Sequence, residues 1–116
     1  MATVDIKSKR TGKFWEGLLK FWENLRNNDE GHSLNCHDWD SAVIQVTGIF
    51  HRAVVHIQGS LDGETWADLK YDNGEPMIIS DHSLIPINQK VCFIRPIARG
   101  GDSLTTLHVY ILGSLK

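Results

Sequence analysis

The side chains best equipped for chemistry in this 116-residue chain are six histidines, two cysteines and a scatter of serines and carboxylates. His32, Cys36 and His37 form the tightest group of potential metal ligands. Their spacing matches no established ligand pattern, and no second pair stands nearby in sequence. Nucleophilic catalysis needs a Ser or Cys, a His and an orienting acid brought together beside an oxyanion site. Neither Gly59-Ser60 nor Gly100-Gly101-Asp102-Ser103 lies in a strand-turn-helix elbow, and both read as turns between strands. Asp38 and Asp40 read as solvated loop carboxylates, while Gly100-Gly101 lacks a following helix whose N-terminus would hold a phosphate. His56 and His108 fall inside strand patterns. Cys36 and Cys92 are too few for a disulfide framework and read as free thiols that act as small hydrophobes. The chain is therefore expected to have no catalytic, metal or cofactor site and not to be an enzyme.

Two further positions invite a functional reading. The polar turn Ser60-Leu61-Asp62-Gly63-Glu64-Thr65 delivers Trp66, whose indole is expected to fill the core; the alternative is an exposed platform that stacks on sugar rings. Arg95 interrupts an apolar strand and precedes Pro96, which cannot donate to a central ladder, so an edge strand or an inter-subunit surface is expected there. Arg95 would then pair with a neighbour's carboxylate or reach out to solvent.

The elements that must position these residues follow from length and periodicity. A chain of 13.1 kDa has room for a single hydrophobic core, and 41% apolar with 22% charged residues is ordinary globular composition. No run approaches the ~20 apolar residues that span a bilayer, and no secretory signal pattern opens the chain, so a soluble chain made in the cytoplasm and not exported by the general route is expected, without membrane association. Charge divides it: residues 1–26 hold six Lys or Arg against three Asp or Glu, whereas the remaining ninety hold six against eleven. A basic arm (residues 1–26) thus precedes an acidic body (27–116). Within the arm, residues 1–13 show no sustained periodicity and are expected to be mobile. Phe14, Leu18, Phe21 or Trp22, and Leu25 then recur three or four apart, with Trp15 and Leu19 beside them. This spacing predicts a short amphipathic helix that its own sheet or a neighbouring subunit must cover.

From Ser41 the period becomes 2. Ala42, Ile44, Val46, Gly48 and Phe50 alternate with Val43, Gln45, Thr47 and Ile49, the second set reading as the more exposed. Ala53, Val55 and Ile57 repeat the pattern after His51-Arg52, and the two runs read as a hairpin. Short strands follow around Trp66 to Leu69, Met77 to Ile79, Leu84 to Ile87, Val91 to Ala98 and Leu104 to Leu112. Seven or so short strands argue for an all-β, antiparallel β-sandwich, Ig-like or jelly-roll-like.

Three segments in this order, Ser41-Ala-Val-Ile-Gln-Val-Thr-Gly-Ile-Phe50, Val54-Val-His-Ile-Gln-Gly-Ser-Leu-Asp-Gly-Glu-Thr-Trp66 and Phe93-Ile-Arg-Pro-Ile-Ala-Arg-Gly-Gly-Asp102, resemble small structural proteins of tailed bacteriophages. Trp22-Glu-Asn-Leu25 with Asp29-Glu-Gly31 resembles the opening segment of that group, which is partly extended. The departures are His51-Arg52, where the group tends to have small residues or glycine, and the basic, aromatic extension before Trp22. The resemblance implies a virion component, foremost a capsid decoration or cement protein on the capsid exterior. Its implied partners are the major capsid protein and further copies of itself, a trimer being the favoured homo-oligomer. Nucleic acid is not an expected partner. The residues expected to bind partners are Lys9, Arg10, Lys13, Phe14, Trp15, Phe21, Trp22 and Arg95. The alternatives are a tail, neck or spike component, or a carbohydrate-binding β-sandwich module similar to discoidin-type domains through the serine-to-tryptophan turn.

Overall fold

The computed structural model describes residues 2–11 and 17–115, and among them every regular element is a β-strand. In chain order these are β1 (Thr3–Val4), β2 (Lys7–Thr11), β3 (Gly17–Leu25), β4 (Glu30–Gly31), β5 (Leu34–Asn35), β6 (Trp39–Ile49), β7 (Val54–Ser60), β8 (Ala67–Asp68), β9 (Ile78–Ile79), β10 (Ser83–Ile87), β11 (Phe93–Arg99) and β12 (Thr106–Leu115). They form two packed sheets, the arrangement of a β-sandwich. One sheet has the order β10-β6-β12-β3-β2; the other runs β1-β4-β11-β7-β8, with β5 on β11 and β9 on β7. All pairings are antiparallel except β1 with β4.

Period-2 alternation sends one set of side chains from each sheet into a shared core. Ile44 and Val46 of β6, Leu107, Val109 and Ile111 of β12, and Trp22 and Leu25 of β3 meet Val55 and Ile57 of β7 and Ile94 and Ala98 of β11. The inward set expected for β6 and β7 is the observed one. Their connection is not a hairpin, however, because β6 pairs with β10 and β12 whereas β7 pairs with β11, β8 and β9. The chain changes sheet through His51 and Arg52, both at positive φ (46° and 77°), in a turn closed by Ala53 N–H donating to the Phe50 carbonyl at 2.8 Å. The return crossing from β11 to β12 lies beside it. Thr105 Oγ1 donates to the same Phe50 carbonyl at 3.0 Å, and His51 Nδ1 lies 2.5 Å from Asp102 Oδ2. The left-handed backbone at His51-Arg52 is the conformation glycine adopts most easily, and here the Asp102 contact accompanies it.

The helix expected within residues 14–25 is replaced over residues 17–25 by β3, an interior strand between β12 and β2. The reason is a β-bulge. On β12 the partners Leu107 and Val109 are two residues apart, but opposite them stand Leu25 and Trp22, three apart, with Asn24 at φ 59° absorbing the extra residue. The bulge turns both Trp22 and Leu25 inward and reproduces a helical spacing in an extended strand. Leu19 and Phe21, on the opposite face, complete the imitation.

Pro96 likewise departs from expectation, since β11 is an interior strand with β7 on one side and β4 and β5 on the other. Opposite Pro96 stands Ile57, whose own N–H and carbonyl bond to Met77 and Leu69, away from β11. In an antiparallel pair this directs the nitrogen of Pro96 away from β7 as well. On that side the ladder is interrupted, because β5 ends its pairing at Ile94 and β4 begins at Ile97. The missing N–H therefore falls in a gap, and Gly31 leaves space for the ring: a Cβ there would lie 2.5 Å from Pro96 Cδ.

Residues 2–4 and 26–31 are tied together at this end of the sandwich. The carboxylate of Asp29 accepts from the N–H groups of Ala2 (3.1 Å) and Arg26 (2.8 Å), while Glu30 N–H donates to the Ala2 carbonyl at 2.9 Å.

Candidate functional site

An antiparallel sheet that packs on one face ordinarily turns polar side chains to water on the other. The five-stranded sheet breaks this pattern. Register places Pro86, Val43, Leu112 and Leu19 in one row across β10, β6, β12 and β3, and Leu84, Gln45, Tyr110 and Phe21 in the next. Leu84 is 70% exposed, Leu112 41% and Val43 38%, and the rings of Phe21 and Tyr110 stack with centroids 5.5 Å apart. At the β2 margin the rows end at Lys7 and Lys9, and Lys7 Nζ lies 3.8 Å from Glu23 Oε2. The result is a largely apolar stripe, interrupted at Gln45, that runs from β10 to β3 and ends at the β2 positions of Lys7 and Lys9.

Of the residues expected to contact partners, Phe21 lies on this stripe. Trp22 does not: it is fully buried, with its Nε1 donating to the His32 carbonyl at 2.9 Å, and the space beside Gly31 is taken by its ring. It is a core residue that joins the two sheets, because the bulge at Asn24 sends it inward. Lys9 and Arg10 fall on β2, at backbone positions opposite Leu19 and Leu18. Lys13, Phe14 and Trp15 lie outside the described residues.

Arg95 sits on the outer face of the other sheet and is engaged within its own chain. Its Nε donates to Gln58 Oε1 at 3.1 Å, Nη1 lies 3.7 Å from Glu30 Oε2, and the guanidinium covers the Trp66 ring at 4.3 Å. Gln58 Nε2 in turn donates to Asp68 Oδ1 at 3.4 Å, and His56 Nδ1 stands 3.3 Å from the same carboxylate. Trp66 is thus half-buried on the surface instead of filling the core, where Leu69 takes the expected place. One face of its indole is already occupied by a cation.

The residues with chemical potential are dispersed. The His32 carbonyl serves Trp22, His37 Nδ1 lies 3.2 Å from Asp38, and the Cys36 thiol donates to the Val91 carbonyl at 3.5 Å. Burial, with Cys92 close by, pushes the Cys36 thiol up to about 11, so it stays protonated at neutral pH and is a poor nucleophile. The turn before Trp66 is held by Asp62, whose carboxylate accepts from the N–H groups of Thr65 (2.8 Å) and Glu64 (2.9 Å) and from the Ser60 hydroxyl (2.9 Å). Those donors lower its pKa to about 2. Asp102 is also held below the usual carboxylate range, first by the Leu104 N–H and then by His51.

Sequence reasoning put Val43 in the more exposed set of β6 but named none of Val43, Leu84, Tyr110 and Leu112 as contact candidates. The signal was present in β12, where both alternating sets, Val109 and Ile111 against Tyr110 and Leu112, are apolar or aromatic. A strand apolar on both faces in a two-layer β protein has one face more than its own core can use. Comparison with known proteins adds no assignment: no family model matches the chain, and a search of curated proteins finds no significant relative.

Proposed function

We propose that this protein is a structural component of a bacteriophage virion, a capsid decoration or cement protein that attaches to the outside of the shell and reinforces it. The observation that carries the reading is the basic strand at the sheet margin. β2 contributes Lys7, Lys9 and Arg10 within five residues, at the end of a strand path whose opposite edge is β10. Lysines on an edge strand discourage indiscriminate strand pairing, and the same charges complement an acidic shell surface. An Ig-like or jelly-roll-like sandwich is a suitable carrier, since the edge strand is held by its ladder to β3. The major capsid protein is the partner, contacted along β2 by Arg10 and by Lys13 beyond it. The work done is binding free energy repeated over many copies, with no turnover.

Quantitative mass spectrometry of purified particles tests this reading. A copy number comparable to that of the major capsid protein supports decoration, a few copies per particle moves the chain to the tail or neck, and absence from particles overturns the virion role. The double variant Arg10→Glu with Lys13→Glu should release the protein from particles at a lower salt concentration than the parent chain, because attachment through charge attraction is screened by salt. Unchanged release would remove the basic edge from the contact.

A further inference from the structure

We propose that Cys36 and Cys92 are a dithiol preset to close into an intramolecular disulfide by exchange with a small-molecule disulfide such as oxidised glutathione, pinning the segment between β5 and β6 to the entry of β11. This inference does not depend on the capsid reading, and it is a property of the purified protein.

Strand register carries it. β5 pairs antiparallel with β11, Asn35 opposite Phe93 and Leu34 opposite Ile94. Continued by one residue, that register sets Cys36 opposite Cys92, and the contact persists there: the Cys36 N–H donates to the Cys92 carbonyl at 2.8 Å. The Cys92 N–H donates instead to the Ser60 carbonyl at 3.0 Å, so the ladder to β5 ends at this pair. Directly opposed residues of an antiparallel pair have their Cα atoms about 4.5–5.5 Å apart and send their side chains to the same face. A disulfide requires about 4.4–6.8 Å between Cα atoms and side chains that point toward each other. Two positions along, Leu34 and Ile94 are both buried in the core, so alternation turns the two cysteines inward as well. After burial itself, Cys92 is the next influence that raises the Cys36 pKa, which requires the two sulfurs to be near each other. The thiols are unbonded in this structure.

Exposure sets the order of events. Cys92 is half-buried, whereas Cys36 is buried with its thiol donating to the Val91 carbonyl at 3.5 Å. Cys92 loses its proton to solvent, attacks one sulfur of oxidised glutathione and expels one glutathione thiolate, leaving a mixed disulfide. Cys36 then loses its proton, attacks the Cys92 sulfur and expels the second glutathione thiolate. Two protein thiols and one oxidised glutathione become one protein disulfide and two reduced glutathiones. The second exchange is the slower, because the Cys36 thiol stays protonated at neutral pH. The bond closes a loop that contains β6 to β10 entire, and a cross-link across so long a loop restricts the unfolded chain strongly. The pair stays open where glutathione is mostly reduced and closes where it is oxidised, so the fold forms first and is stapled afterwards.

The test treats the folded full-length protein with oxidised glutathione at mildly alkaline pH and follows its intact mass. The mass should first gain one glutathione and then settle two hydrogens below that of the parent, with peptide mapping joining Cys36 to Cys92. Cys36→Ser should halt at the adduct on Cys92. Cys92→Ser should react at least about tenfold more slowly than the parent, its one thiol being buried. The closed form should melt about 5–15 °C above the reduced form and lose that gain on reduction. At one fixed glutathione ratio, the urea-unfolded chain should show a disulfide-to-dithiol ratio at least about tenfold below that of the folded chain. A protein that keeps both thiols, an adduct that never resolves, a disulfide between two chains, or a closed form that melts no higher than the reduced one overturns the proposal.

Discussion

Replacement of Trp22 by alanine separates a core residue from a contact residue. The side chain is fully buried, packs from β3 of one sheet toward Gly31 of the other, and donates to the His32 carbonyl at 2.9 Å. Truncating a buried tryptophan costs about 3–5 kcal/mol through lost transfer free energy and the cavity left behind. This is a large part of the 5–15 kcal/mol by which a domain is ordinarily stable. At about 4 °C per kcal/mol for a chain of this size, the Tm should fall by roughly 12–20 °C. Trp22→Phe keeps most of the ring contact but takes the donor from the His32 carbonyl, and should cost about 1–3 kcal/mol. Phe21→Ala, one residue away on the outer face, provides the control and should cost less than Trp22→Ala. Differential scanning calorimetry or thermal circular dichroism of the three variants reads these losses. A Trp22→Ala protein that melts within about 2 °C of the parent would refute the placement of β3 in the core and return Trp22 to the partner-contact residues.

Two further outcomes are expected. Gly113→Ala puts a methyl group into the ring of Trp39, which lies directly against the β12 backbone, and should destabilise by about 1–3 kcal/mol; a neutral effect in a thermal melt would show that Trp39 does not lie there. Asp62 should titrate near pH 2 in a carboxyl-detected NMR experiment, below its ordinary 3.8, because the folded turn donates two N–H groups and a hydroxyl to the charged form. With the folded pKa depressed, the stability this carboxylate contributes is present above about pH 4 and lost as pH falls through about 2. A midpoint at the ordinary value would refute the turn geometry.

Much of this molecule was legible in the residues themselves. The all-β class, the inward sets of β6 and β7 and the turn at Asp62-Gly63 follow from alternation and turn chemistry, which act over a few neighbouring residues and need no knowledge of partners. Phe21 and Trp22 were put together as contact residues from sequence, and only the fold assigns them to opposite faces of β3. The misreadings share one cause. Trp22 and Leu25 imitate a helix because a bulge opposite β12 adds a residue between two inward positions. β6 and β7 look like a hairpin because a tight turn reads the same whether its strands pair or part to different sheets. Pro96 looks like an edge marker because the gap between β4 and β5 that admits it is built by residues more than sixty positions earlier.

Which side chains an unbulged strand such as β6 or β7 offers to its two faces is a property of the local chain and is legible in the sequence; in β3 the bulge against β12 decides it. Which face meets the core, which strand lies beside which, and that Leu112, Val43, Leu84 and Phe21 converge on one outer surface were decided only by the tertiary fold. The physical reason is that alternation has a range of a few residues, whereas register and layer are set by contacts between segments far apart in the chain, whose free energy appears only once both are in place.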